Sequence, residues 1–72
     1  MDNGRRHYGI VREFNIARGS GYIEMEGSGD PVFVRYSAIR GEGMRTLRVG
    51  QRVSFELEVN GRGLSALRVI GE

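Results

Sequence analysis

Residues 51–70 read QRVSFELEVNGRGLSALRVI, and this stretch decides the fold. Apolar and polar side chains alternate through its first half, which is the period of a strand with one face in a core. Asn60 and Gly61 follow directly, and this dipeptide is typical of the tight turn of a β-hairpin. The stretch therefore predicts two antiparallel strands, at 51–59 and 64–70.

Three segments earlier in the chain carry the same period-2 pattern, and glycines interrupt the chain between them. The predicted strands are 8–15, 21–26 and 32–36. The turn signal GSGDP at 27–31 separates the second of these strands from the third. The longer connection at 37–50 is predicted to be a loop that begins with one short 3₁₀ turn at 37–39.

Five short strands in a chain of 72 residues leave exposed sheet edges unless the sheet closes on itself. The closed solution at this length is a five-stranded antiparallel OB-fold β-barrel, so we predict this all-β fold. The strand pattern alone leaves an SH3-like barrel open as the alternative. The side chains predicted to point inward are Val11, Ile23, Val32, Val34, Ile39, Val53, Phe55, Leu67 and Val69.

Composition restricts the chain to one small domain and excludes several classes of site. Cysteine is absent and the single histidine, His7, cannot build a zinc site, so no metal or other cofactor is predicted. No apolar run approaches the about 20 residues that span a membrane, and no apolar signal region follows the polar start. We expect a cytoplasmic monomer, with residues 1–6 as a disordered tail and 7–72 as the domain.

All eleven basic residues are arginine, and the formal net charge is only +2. A charge balance this mild does not by itself indicate a nucleic-acid-binding protein. The arginine guanidinium nevertheless pairs with phosphate through its planar fork and lies flat on a base, which the lysine ammonium cannot do. Codon usage in a GC-rich genome explains the bias equally well, and either cause leaves a surface that suits nucleic acid.

Two segments carry the candidate site, RGSGYI at 18–23 and VFVRY at 32–36. Strand alternation places Tyr22 and Phe33 together on the outer face of neighbouring strands. Exposed aromatic rings beside arginines form a platform on which unpaired bases stack. The alternative is that the two rings are ordinary cross-strand partners on a half-buried face. The arginines predicted to contact phosphates or to stack are Arg12, Arg18 and Arg35.

Residues 9–69 resemble the cold-shock domain family in the order and spacing of its motifs. GIVREFN at 9–15 is similar to the family's opening G-x-V-K-W-F-N, and RGSGYI resembles its K-G-F-G-F-I. VFVRYSAI at 32–39 resembles its V-F-V-H-F-S-A-I, and GEGMRTL at 41–47 is similar to its long loop. The resemblance implies a five-stranded barrel that binds single-stranded RNA or DNA, as an RNA chaperone or a transcript-level regulator.

The chain departs from the family at several aromatic positions. Glu13 stands where the family has Trp, Ser20 where it has Phe, and Met44 where a Phe is common. Arg35 replaces a His between two aromatic residues. Since one stacked base is worth about 1–3 kcal/mol, we expect a weaker and more electrostatic binder than a typical member. The predicted contacts to the single strand are Arg12, Phe14, Asn15, Arg18, Ser20, Tyr22, Asp30, Phe33, Arg35, Tyr36 and Met44.

No catalytic residue and no small-molecule substrate are predicted. Ser20 lies between glycines, but no histidine or acid is positioned as its base and the strand–turn–helix context of a nucleophilic serine is missing. Two other functions stay open. A protein-interaction or structural module that kept the barrel but lost nucleic-acid binding would explain Glu13 and Ser20. A ribosomal or translation-factor OB domain would bind RNA as well, with a preference for structured RNA.

Overall fold

The structure, a computed structural model, describes residues 6–41 and 46–72. Its strands are β1 (His7–Asn15), β2 (Ser20–Met25), β3 (Pro31–Arg35), β4 (Arg52–Asn60) and β5 (Gly63–Gly71), with a 3₁₀ turn at Tyr36–Ala38. Each strand begins and ends within one residue of its predicted bounds. Residues 1–5 of the predicted tail, and Met44, lie outside the described residues. No helix within the described ranges has the length and apolar character to cross a membrane.

The strands close into a barrel in the order β1-β2-β3-β5-β4, with β4 paired back to β1. Neighbouring strands are antiparallel except at β3 and β5, which run parallel through the pairing of Phe33 with Ser65. Closure removes the sheet edges that five separate strands would expose. The predicted OB-fold barrel is thereby confirmed.

The core consists of the inward side chains of all five strands together with two residues of the connection before β4. Its members are Val11, Ile23, Val32, Val34, Ile39, Leu47, Val53, Phe55, Ala66 and Val69. The prediction that Leu67 points inward is wrong, since its side chain is 37% exposed. The β4–β5 register shifts between Ser54 and Glu56, and Arg68 has a positive φ of 48°. This irregularity lets Ala66 and Val69 both face the core and turns Leu67 outward.

Arg6, the last residue of the predicted tail, contacts the barrel. Its guanidinium donates to the Ser54 carbonyl at 2.8 Å and to the Arg68 carbonyl at 2.6 Å. The buried Ser54 hydroxyl accepts from Arg6 at 3.0 Å and donates to Glu72 at 2.6 Å. Ser54 therefore joins the start of the described chain to its last residue, and no part of its buried hydroxyl is left without a partner.

Gly21 on β2 lies opposite Phe14 on β1, at a point where the β1 backbone leaves no room for a side chain on β2. A Cβ at Gly21 would lie in severe overlap with the Glu13 backbone carbonyl, at 1.9 Å from its oxygen. Both atoms belong to paired strands, so neither moves without disturbing the ladder. Only glycine fits this position.

We expect Gly21→Ala to lower the free energy of unfolding by about 3 kcal/mol, the upper part of the usual range for overpacking. Urea unfolding followed by circular dichroism measures this change. Gly61→Ala is the matched control, because a Cβ there meets no atom within 4 Å. Equal stability of the two variants would contradict the close approach of β1 to β2.

Candidate nucleic-acid interface

Five directly opposite residues form a row around the outside of the barrel, which we call the outer row. It runs from Glu13 on β1 through Tyr22, Phe33 and Ser65 to Glu58 on β4. Directly opposite residues share one face of a sheet. The side chains that precede and follow Phe33, on β3, are fully buried, so the outer row faces away from the core.

Tyr22 and Phe33 are in edge-to-face contact at the centre of the outer row. Their ring centroids lie 5.7 Å apart at an interplanar angle of 66°, an arrangement that aromatic pairs prefer. The Arg35 guanidinium carbon lies 5.3 Å from the centroid of the Phe33 ring. Tyr22 is 45% exposed and Phe33 half-buried. The two rings are therefore cross-strand partners, which is the alternative to a stacking platform that the sequence left open. They also lie together outside the core, as a stacking platform requires.

Tyr36 lies at the end of β3, next to the β1–β2 turn. Its backbone N–H donates to the Gly19 carbonyl at 2.7 Å, and its side chain is 55% exposed. A Cβ at Gly19 would come within 2.8 Å of the Tyr36 ring, and Gly19 has a φ of 69°. Glycine at this position thus permits both the turn and the approach of the ring.

Phe14 is a predicted contact to the single strand that the structure does not place in the outer row. It is half-buried and packs against the core cluster, opposite the buried Gly21. The cause is a register shift in β1 between Val11 and Glu13. A regular strand with Val11 inward would point Phe14 outward, whereas the extra residue reverses that side and places Glu13 opposite Tyr22.

The predicted phosphate-binding arginines differ in how they are engaged. Arg12 donates through Nε to Glu24 at 2.6 Å, and both side chains are about half exposed. An exposed ion pair contributes about 0–1 kcal/mol, so a phosphate can compete for this guanidinium. Arg35 lies over Phe33, and no carboxylate of the described residues is within ion-pair distance of it. Arg18 is exposed in the β1–β2 turn.

The predicted polar contacts surround the platform but also have local structural roles. Asn15 accepts the Arg18 backbone N–H on its side-chain oxygen at 3.0 Å, which stabilises the β1–β2 turn. Ser20 is half-buried and lies opposite both Asn15 and Arg35. Asp30 is exposed beside the platform, and its backbone carbonyl accepts the Met25 N–H at 2.9 Å.

A groove of about 870 Å³ opens from the platform toward the β4–β5 hairpin. Its lining includes Tyr22, Phe33 and Arg35 of the platform and hairpin residues such as Arg62 and Leu67. Sequence reasoning missed both hairpin residues. The Asn60-Gly61 signal places Arg62 near a hairpin tip, but its position beside the platform depends on the parallel pairing of β3 with β5, which no local pattern carries.

A second arginine–aromatic pair lies between β1 and β4, where the Arg52 guanidinium carbon is 4.4 Å from the centroid of the Tyr8 ring. Arg52 Nε also donates to Glu26 at 2.7 Å. This hydrogen bond lowers the pKa of the Glu26 carboxyl and raises the pKa of Arg52. Within 6–41 and 46–72, no group of three or more acidic or histidine side chains is placed to hold a metal ion.

Comparison with known proteins gives consistent matches. The family model described as the 'Cold-shock' DNA-binding domain matches residues 7–72. Cold shock protein CspB of Bacillus caldolyticus is 50% identical over 62 residues, covering 86% of this chain and 92% of that protein. Cold shock protein CspD of Bacillus subtilis is 46% identical over 70 residues, 97% of each chain. The solved Drosophila Unr CSD456 shares the fold, with a TM-score of 0.79 and 17% identity over 97% of this chain and 28% of its own.

The Glu26–Arg52 pair makes one part of the stability depend on pH. Because the folded-state pKa of Glu26 lies below its ordinary value of 4.5, the contribution is complete above that value and is lost as pH falls through the lowered pKa. We expect Glu26→Gln to lower the melting temperature at pH 7, and the difference from wild type to vanish in acid. Glu58→Gln is the control, and a Glu26→Gln difference that persists at pH 2 would contradict the linkage.

Proposed function

The chain belongs to the cold-shock domain family, and from this membership we propose that it binds single-stranded RNA or DNA across the outer faces of β2 and β3. The observation that carries the proposal is the contact of Tyr22 with Phe33 beneath the Arg35 guanidinium. Unpaired bases stack on such rings with little regard to sequence, because every base has a π-face. The family match supports the class of ligand, and the ring pair supports the choice of surface.

The proposed path of the strand follows the groove from the platform to the β4–β5 hairpin. Arg35 and Arg62 line this groove, so a phosphate backbone that follows it meets one guanidinium at the platform and another at the hairpin. Tyr36 extends the ring surface toward the β1–β2 turn, where Arg18 is exposed. The proposed contacts are Arg12, Asn15, Arg18, Ser20, Tyr22, Asp30, Phe33, Arg35 and Tyr36; Phe14 supports them from the core side, and Met44 stays a prediction.

Affinity is proposed to be lower and more electrostatic than in a member that carries all the family's aromatic residues. Glu13 and Ser20 stand where the family has aromatic residues, so two stacking rings are missing here. Glu13 also lies opposite Tyr22, where its carboxylate repels phosphate. Arg35 partly offsets this loss through charge and stacking. The binding constant should fall steeply with salt, with a slope of about −0.7 for each phosphate neutralised.

Sequence-tolerant binding without catalysis suits an RNA chaperone or a transcript-level regulator, and we propose that role. The platform lies on a single barrel, so a monomer suffices for it. The cysteine-free sequence suits a reducing cytoplasm. An interaction module that has lost nucleic-acid binding is the second candidate, favoured by Glu13 beside Tyr22; absence of binding to oligo-dT and oligo-U at low salt would support it.

We expect Tyr22→Ala to weaken binding of oligo-dT about tenfold or more, because it removes a ring that stacks on a base. Fluorescence anisotropy of a labelled strand at low salt measures the dissociation constant. Tyr8→Ala is the matched control, since Tyr8 is 39% exposed and also lies beside an arginine, but between β1 and β4.

The control should bind within about twofold of wild type, since its ring lies off the proposed path. Equal losses in the two tyrosine variants, or none in either, would overturn the assignment of the platform to β2 and β3. An unpaired strand should also compete better than a hairpin for the wild-type protein. The reverse order would favour an OB domain that recognises structured RNA.

The double variant Glu13→Trp with Ser20→Phe should tighten binding of pyrimidine-rich strands more than tenfold. It restores two outward rings next to Tyr22 and Arg35, each worth about 1–3 kcal/mol when a base stacks on it. Anisotropy titrations at two salt concentrations separate this gain from the removal of the Glu13 charge. An unchanged affinity would mean that the ligand does not cross this face.

A further inference from the structure

Glu13 places a carboxylate in the outer row, and this group takes no part in base stacking. Its side chain is exposed and lies directly opposite Tyr22, a pairing that separates the two Cβ atoms by about 5 Å. The register shift in β1 is what turns it to this face. A base that stacks on the Tyr22 ring therefore has its edge within reach of the carboxylate.

Glu13 also differs in its partners from three other glutamates of the barrel. Glu24 and Glu56 each form an ion pair with an arginine on a neighbouring strand, and Glu26, which follows β2, pairs with Arg52 of β4. Within the described part of the chain, no arginine lies within ion-pair distance of Glu13 or of Glu58, the two ends of the outer row. Since Glu13 is exposed and lies opposite Tyr22, its carboxylate is accessible to a ligand on the outer row.

An ionised carboxylate only accepts hydrogen bonds, so it selects base edges by their N–H groups. Guanine presents two adjacent donors, N1–H and the N2 amino group, which match the two carboxylate oxygens in the bidentate manner of a charged pair. Cytosine and adenine present one amino group each. Thymine and uracil present a single N3–H between two carbonyl oxygens, and those oxygens repel the carboxylate.

We propose that Glu13 is a specificity-determining residue that selects guanine for the base stacked on Tyr22. The inference rests on the proposed function and adds to it the identity of one base. Charges around the platform are placed accordingly: Arg35 lies in the neighbouring row, opposite Ser20, where phosphates can pass, while Glu13 faces the base edge. The hydrogen bonds that this carboxylate accepts from the base offset part of its repulsion of the phosphate backbone.

The test compares a heptathymidine strand with strands that carry one guanine or one hypoxanthine at the centre, by anisotropy at low salt. Hypoxanthine stacks as a purine and keeps N1–H but lacks the N2 amino group, so it separates hydrogen bonding from stacking. The guanine strand should bind about tenfold more tightly than heptathymidine, within the discrimination that a bidentate contact provides. The hypoxanthine strand should lie between the two.

Two valine variants assign the preference to one carboxylate. Glu13→Val should bind heptathymidine at least as tightly as wild type, because a repulsive charge is gone, and should lose the difference between guanine and hypoxanthine. Glu58→Val removes the same charge from the other end of the outer row and should keep that difference. Both substitutions place a β-branched residue at an exposed strand position, which the fold tolerates.

A guanine strand that binds no better than the hypoxanthine strand would overturn the assignment, as would a Glu13→Val protein that keeps the wild-type preference. Failure of the proposed function looks different, because wild-type protein would then bind none of the strands at low salt. Equal loss of the preference in both valine variants would indicate a general field effect and would also reject Glu13 as the reader of the base.

Discussion

One extra residue in β1 decides which chemistry faces the outside of this barrel. The β1–β2 register shifts between Val11 and Glu13, so that Val11 points inward and Glu13 lies opposite Tyr22. Gly21 permits this shift, because the Glu13 carbonyl occupies the space that a side chain at position 21 would need. This backbone contact between Glu13 and Gly21 is therefore what allows Glu13 to lie beside Tyr22 in the outer row.

The exposed rings follow from the same alternation that builds the core. Val32 and Val34 are fully buried, and each contributes about 1.5–3 kcal/mol by leaving water. The residues between and after them, Phe33 and Arg35, must then point outward. The partly exposed Phe33 ring is the consequence of a strand whose inward positions are already filled, and its contact with Tyr22 recovers part of the exposed area.

Sequence reasoning located the strands because period-2 alternation and glycine turns are local signals, and the same signals placed Tyr22 beside Phe33. It did not anticipate that Phe14 packs against the core or that Leu67 points outward, and both residues lie next to register shifts, in β1 and β5. A shift of one residue reverses every side chain beyond it, and it depends on the partner strand rather than on the sequence of its own strand. The groove was missed for a related reason, since the pairing of β3 with β5 joins residues far apart in the chain.

The replacement of an aromatic family position by Glu13 exchanges one kind of recognition for another. A ring at this position would bind any base, whereas a carboxylate repels the backbone and accepts hydrogen bonds only from certain base edges. In the proposed complex, total affinity falls and discrimination between bases rises, because the favourable contact depends on hydrogen-bond donors that thymine and uracil present poorly. Arg35, over the Phe33 ring, keeps a cation in contact with the platform and limits the loss of affinity. Under this proposal the two departures from the family pattern act together: Arg35 holds the single strand, and Glu13 distinguishes the base that is stacked on Tyr22.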